Sequence, residues 1–331
     1  GRSEMEWKVL IHSVRESARS FGSRSYVATK IYSSITNWVT EKRLRKFSQS
    51  HLFHSPNFVL PNYDGPKVVT IHDLSVIRHP EFHRKQMVEI CERGIMRGIS
   101  EGAHILTDSY MVQEEIKKEF GVSDDRISTV HLAPDSGCRP RGELECRSQL
   151  DRLGIAYRRF YLCVGTIEPR KNLLRLFDAF RIGRQEGIFD WPLVVVGARG
   201  WKSDGEHRAL QKLCDDGLAI FPRYVGDSLL RVLYSSAGCL VFPSVYEGFG
   251  LPVIEAMSSG CPVIASYGTA VSEFADEQVS FFDPQDTDML KRNLQARYET
   301  PIPKKSIPKG RYRSWHDVAV ETRATYSKAW S

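Results

Sequence analysis

The chain predicts an α/β architecture of two doubly wound parallel domains, and three observations carry that expectation. Its 331 residues, 41% of them apolar, are enough for two cores of ordinary size. Short β-branched or apolar runs alternate with longer amphipathic stretches along most of the length, the pattern of parallel strands covered by helices. A polar stretch rich in Gly, Pro and Arg interrupts that alternation midway. The expected division is an N-terminal domain over 1–134, a linker over 135–159, a C-terminal domain over 160–312 and a closing helix over 313–331.

In the first half, 8–12 (KVLIH), 52–58 (LFHSPNF), 68–72 (VVTIH), 104–107 (HILT) and 127–132 (ISTVHL) read as strands with helical segments between them. The segment 109–120 reads as a helix: Ser109 can cap it, Met111, Ile116 and Phe120 can share a face, and Gly121 can end it. A short helix is expected near 144–153. The second half alternates strands at 161–164, 193–196, 219–221, 239–242 and 263–264 with helices from 173, at 206–214, 229–235 and 252–257. The tail 315–330 reads as an amphipathic helix.

Composition narrows the function classes. The balance of 46 basic against 40 acidic residues is a mild excess that suits an anionic substrate or membrane surface. No zinc spacing, RNP-like aromatic motif or long basic run points to nucleic acid. Seven cysteines form no C-x-x-C pair, and several fall in apolar runs, the usage of reduced thiols in a cytosolic compartment. No window approaches the roughly 18 apolar residues of a membrane span, and the opening GRSEME does not read as a signal peptide.

Three elements carry chemistry. The run 242–257 (FPSVYEGFGLPVIEAM) follows a strand and opens a helix. Gly248 and Gly250 allow a tight turn and close approach of backbone to ligand, and Pro252 suits a first helical turn. The free amides there can seat a diphosphate. Glu247 is expected in the loop and Glu255 in the first turn, where carboxylates can grip the hydroxyls of a sugar and a ribose. A favourable position near a helix N-terminus is the alternative for Glu255. The run 164–172 (VGTIEPRKN) also follows a strand, and Arg170 with Lys171 can neutralise a leaving diphosphate, the alternative being a solvated basic loop. The third, 68–75 (VVTIHDLS), ends a strand in His72-Asp73; the histidine can bond a substrate oxygen or serve a structural contact.

Together these runs resemble the glycosyltransferase family 4 group, in particular its bacterial mannosyltransferase-like members, whose pattern runs T-I-H-D, V-G-T-x-E-P-R-K-N and P-S-x-x-E-G-F-G-L-P-x-x-E-A-M-x-x-G-x-P-V. The resemblance continues through 258–263 (SSGCPV) and covers most of the chain from about Phe53 onward. It implies the GT-B fold, two Rossmann-like domains facing a cleft, and a retaining, metal-independent enzyme. Such an enzyme moves a hexose, here mannose from GDP-mannose, onto a lipid-linked glycan or polysaccharide at the cytoplasmic membrane face, with peripheral membrane contact. By the same resemblance Lys171 with Arg170 binds the donor diphosphate, Glu247 the sugar hydroxyls and Glu255 the ribose. Gly165 and Thr166 line the donor loop, and backbone amides around Phe249, Gly250 and Leu251 support sugar and phosphate. His72 sits near the reaction centre with Asp73 beside it. No cofactor and no metal are implied.

Departures from the pattern shape further expectations. Only 37 residues precede Trp38, so the N-terminal domain reads as shortened, with 22–26 (GSRSY) in place of the usual Gly-rich loop. A catalytically impaired nucleotide-sugar-binding or assembly module of a larger glycan-synthesis protein is therefore the alternative, and an epimerase or phosphorylase on the same fold a weaker third. Thr166 stands where relatives often carry Arg, which assigns the phosphate role to Arg170. Asp286-Thr287-Asp288 matches a metal-binding D-x-D, but its context favours helix capping by Asp286. The run 197–200 (GARG) lacks the spacing of a nicotinamide-binding loop.

Overall fold

The computed structural model describes residues 44, 47–300 and 312–330, and the backbone of 9–11. The 22–26 segment lies outside the described residues. Contacts divide the chain into two compact units, one of residues 1–78, 85–131 and 319–331, the other of 79–84 and 132–318.

The first unit holds a parallel sheet in the order β1(Val9–Ile11), β2(Leu52–Ser55), β3(Lys67–Ile71), β4(His104–Thr107), β5(Ile127–Thr129). β2 stops three residues earlier than expected. Pro56 brings no backbone donor and Phe58 takes a positive φ of 46°, so the regular ladder stops, with one further bond from the Phe58 amide to the Thr70 carbonyl at 3.1 Å. Between β3 and β4 lie α1(Ser75–Arg78) and α2(Lys85–Ser100); α3(Tyr110–Phe120) precedes β5. The Ser109 hydroxyl accepts from the Val112 amide at 3.2 Å, and Gly121 closes α3 with φ 65°. Val112 and Ile116 form its buried stripe, with Met111 and Phe120 only partly buried.

One face of this sheet is apolar: Phe53, Val69, Ile71, Ile105 and Ile127 pack against Cys91 and Ile95 of α2 and Ile116 of α3. Alternation sends a row of polar side chains to the other face. There His54 bonds Thr70 at 2.8 Å and His104 bonds Ser128 at 2.9 Å. The last helix, α10(Trp315–Trp330), satisfies that row: the Tyr326 hydroxyl meets His54 at 2.7 Å, and Lys328 donates to Ser128 at 3.3 Å. Burial holds both His54 and His104 down at about 4.

The second unit contains α4(Glu143–Asp151), β6(Tyr161–Val164), α5(Leu173–Gln185), β7(Leu193–Val196), α6(Asp204–Asp215), β8(Ala219–Arg223), α7(Asp227–Ser236), β9(Cys239–Phe242), α8(Leu251–Ser258), β10(Val263–Ser266), β11(Val279–Phe282) and α9(Thr287–Glu299). Its strands are ordered β11-β10-β9-β6-β7-β8, all parallel. Successive residues face opposite sides. Leu162, Val194, Leu240 and Val263 meet α4, α7 and α8 on one side; Tyr161, Val195, Val241 and Ile264 meet α5, α6 and α9 on the other. The stretch expected to act as a linker, 135–159, contributes Cys146, Leu150 and Ile155 to the first of these cores. Edge strand β11 was not anticipated from the sequence, because its four residues are mostly half-buried and too few to show a period. Among the described residues, no helix is long and apolar enough to cross a membrane.

Candidate donor site

The strand order places a topological switch point between β6 and β9, from which the chain runs outward in opposite directions. Open α/β sheets bind ligands in the crevice that forms there, beyond the carboxyl ends of the strands. The loops leaving β6 and β9 are the two conspicuous motifs, 165–172 and 243–250.

The β6 loop is held by its neighbour. The Gly165 amide donates to Val196, Ile167 to Ala198 and Gly200 to Ile167, at 2.9–3.0 Å. Gly197 packs so closely that a Cβ there would lie 1.9 Å from the Gly165 carbonyl oxygen. The 197–200 run thus braces the loop through backbone pairing. A 3-10 turn, Pro169–Lys171, then presents the two cations, and Asn172 closes it at φ 55° with its side-chain amide tied to the Pro284 carbonyl at 2.9 Å.

The β9 loop meets them. Lys171 Nζ contacts Glu247 Oε1 at 2.5 Å and Arg170 Nη1 contacts Glu247 Oε2 at 3.1 Å. Arg170 also donates to the Tyr246 carbonyl at 2.7 Å and to Glu168 Oε1 at 2.9 Å, while its own carbonyl accepts from Val245. The side chains of Arg170, Lys171 and Glu247 are 10–14% exposed, so the solvated-loop alternative is set aside. Burial pushes the Glu247 carboxyl up most strongly, but Lys171 and Arg170 together overturn that and hold it at about 2. Burial leaves Glu168 raised despite its arginine.

Gly165 lies beside the Lys171 stem, and Thr166 lines the same small cavity with Cys163, Phe242 and Ser244. Phe249 is buried against Phe274, ring centroids 4.8 Å apart. Gly250 opens α8 at φ 104°, a conformation that glycine takes without strain, and no side chain caps the helix there. Leu251 is its first residue and Pro252 its second. Glu255 is accordingly the fifth residue and lies in the second turn, a correction to the expected first turn. The simple dipole account of Glu255 weakens with that shift. Its neighbours are Tyr234, Asp135 and Asp227, and burial raises its pKa. Asp286 accepts from the Met289 amide at 2.7 Å, the capping role anticipated for it.

In the first unit, His72 and Asp73 follow β3. His72 Nδ1 faces Asp108 Oδ2 at 2.7 Å and Nε2 faces the Pro56 carbonyl at 2.9 Å. Both partners are acceptors, so this geometry asks for two ring donors, the imidazolium. Burial works against that charge, but Asp108, Pro56 and Asp73 outweigh it and the pKa is raised. Asp73 accepts from the Ser75 amide at 2.8 Å, an Asx turn that leads into α1. Sequence reasoning named neither Asp108 nor Glu168 as a working residue. The only local signal for Glu168 was an acid two positions before Arg170.

The family model described as glycosyl transferases group 1 matches residues 151–310. The chain is 32% identical over 283 residues to the O-antigen chain mannosyltransferase B of Escherichia coli, covering 86% of this chain and 71% of that protein. It is 27% identical to the O-antigen chain mannosyltransferase RfbU of Salmonella typhimurium, covering 75% of this chain and 65% of that protein. Among solved structures, WaaG, a glycosyltransferase involved in lipopolysaccharide biosynthesis, aligns with a TM-score of 0.66 at 14% identity, covering 93% of this chain and 79% of that one.

Proposed function

The chain belongs to the group 1 glycosyl transferases and has the GT-B fold, and from that premise we propose that it is a family 4, retaining, metal-independent mannosyltransferase. In this reading it takes mannose from GDP-mannose and adds it to a polysaccharide or lipid-linked glycan, working at the cytoplasmic face of a membrane. The observation that carries the reading is the buried Lys171–Glu247–Arg170 cluster at the switch point of the second sheet. The names of its relatives favour mannose.

Each side chain has a task that its chemistry suits. Lys171, with three rotatable donors and a compact charge, contacts the donor diphosphate, and the adjacent charge of Arg170 adds to the field that stabilises the leaving group. The amides of Phe249, Gly250 and Leu251, at the uncapped start of α8, receive phosphate and sugar oxygens. Glu247 stays ionised and accepts from sugar hydroxyls; its two cations hold it as a positioning group. Glu255 accepts from the ribose. Within the first unit His72 carries positive charge, steadied by Asp108, with Asp73 beside it.

Thermal-shift titration with GDP, UDP and ADP and their sugars tests the assignment, since a ligand that binds only the folded state raises its stability. GDP and GDP-mannose should stabilise the chain selectively, and Lys171→Ala and Glu255→Ala should each abolish the effect. Mannose transfer to a glycan acceptor should follow. Stabilisation by UDP or ADP instead would overturn the donor, and silence toward every nucleotide would overturn the function.

A further inference from the structure

Glu168 is one of the most deeply buried acids of the second unit, 2% exposed, and it stands where an acid usually caps a helical turn. It makes no side-chain cap. Its Oε1 instead receives Arg170 Nη2 at 2.9 Å and Nε at 3.2 Å. That contact occupies one edge of the guanidinium and turns Nη1 toward the Tyr246 carbonyl and Glu247 Oε2, at 2.7 and 3.1 Å. A chain of charge-assisted bonds therefore runs Glu168, Arg170, Glu247, Lys171, two acids and two bases alternating in a buried place. A guanidinium can serve as such a strut because its donors sit in a rigid plane, so fixing one edge fixes the other.

We propose that Glu168 is a positioning residue of the donor site: through Arg170 it sets the direction in which the Glu247 carboxylate meets the transferred sugar. The inference rests on the reading of this cluster as a nucleotide-sugar site and adds a division of labour to it. Lys171, with the charge of Arg170 beside it, serves the diphosphate, whereas Glu168 and the fixed orientation of the Arg170 fork serve the sugar end through Glu247. Burial of Glu168 has a functional reason under this arrangement, because a solvated carboxylate would not hold the arginine to one orientation.

The test uses the full chain and two probes: GDP, which lacks the sugar, and GDP-mannose, followed by GDP release. Glu168→Gln keeps the shape and removes the charge; Arg170→Lys keeps the charge and removes the fork. In both, GDP affinity should stay within about threefold of wild type, while kcat for GDP-mannose falls about 10- to 100-fold, the scale expected of a misplaced contact. Glu247→Gln combined with Glu168→Gln should be no slower than Glu247→Gln alone, because residues acting in series do not add. Equal loss of GDP affinity and turnover, additive losses in the double variant, or an unchanged kcat would each overturn the proposal. A wild-type chain that bound GDP-mannose but left no such split in the variants would sink the positioning role alone. One that bound neither probe would sink the donor reading and this inference with it.

Discussion

Lys171 and Glu247, 76 residues apart in the chain, meet at 2.5 Å where the loops from β6 and β9 converge. The contact joins the loops that leave the two strands on either side of the switch point. Removing one member of a buried pair leaves a charge without its partner. Lys171→Ala should cost about 3 kcal/mol of unfolding free energy, at the low end for buried pairs because Arg170 still faces Glu247. Urea unfolding measures the loss, and calorimetric titration with GDP should show binding abolished. A variant as stable as wild type would mean that the pair is solvated in solution.

Acid should act on the same pair. The Glu247 carboxyl is held at about 2, against 4.5 for the free group, so its folded-state pKa is depressed. Its stabilisation is present above pH 4.5 and is lost as pH falls from there toward 2. Glu168, whose pKa is raised, has the opposite sign: its contribution is complete at low pH and declines as pH rises through its folded value. Glu247→Gln should therefore lower stability at pH 6 yet flatten the acid decline below pH 4.5, as read from urea midpoints across that range. A decline as steep as that of wild type would assign the acid sensitivity elsewhere.

His72 should titrate on the other side of its ordinary value. With Asp108 and the Pro56 carbonyl both accepting from its ring, its pKa is raised above 6.5. The stabilisation it supplies is complete below pH 6.5 and disappears as pH rises through the folded value. Ring-proton NMR should give a midpoint above 6.5 for His72, falling in Asp108→Asn. A midpoint at or below 6.5 in the unaltered chain would contradict the imidazolium assignment.

The candidate site of the second unit was legible because its signals are local. Gly250 and Pro252 lie inside one run of sequence, and their roles follow from backbone conformation alone. What pairs across the fold was not legible in the same way. Nothing in the sequence brings Asp108 to His72, 36 residues away, or assigns Glu168 to Arg170 rather than to the turn it begins. The Glu255 placement slipped by one residue, from the fourth to the fifth position, because Leu251, not Pro252, begins the helix, a boundary that Gly250 sets through its left-handed φ. The polar stretch 135–159 read as a linker because its few core residues, Cys146, Leu150 and Ile155, are spaced too sparsely to outweigh their neighbours.

The bracing of the loop after β6 yields a test that involves no charged group. Gly197 lies so near the Gly165 carbonyl oxygen that a Cβ would come within 1.9 Å of it, and within 2.8 Å of the carbonyl carbon. The obstacle is backbone, which no rotamer change can move aside. Gly197→Ala must push the β6 and β7 loops apart, stretching the Gly165 to Val196 and Ile167 to Ala198 bonds that hold Lys171 in line. The expected cost is about 3 kcal/mol, the upper part of the range for overpacked sites. GDP affinity should fall with it, since the displaced loop carries the proposed diphosphate contact. Gly142→Ala, where nothing lies within 4 Å of the added carbon, should stay within about 0.5 kcal/mol of wild type and serve as the control. If Gly197→Ala unfolded at the wild-type midpoint and bound GDP as tightly, the loop would owe its shape to the Lys171–Glu247 contact alone and not to its neighbour.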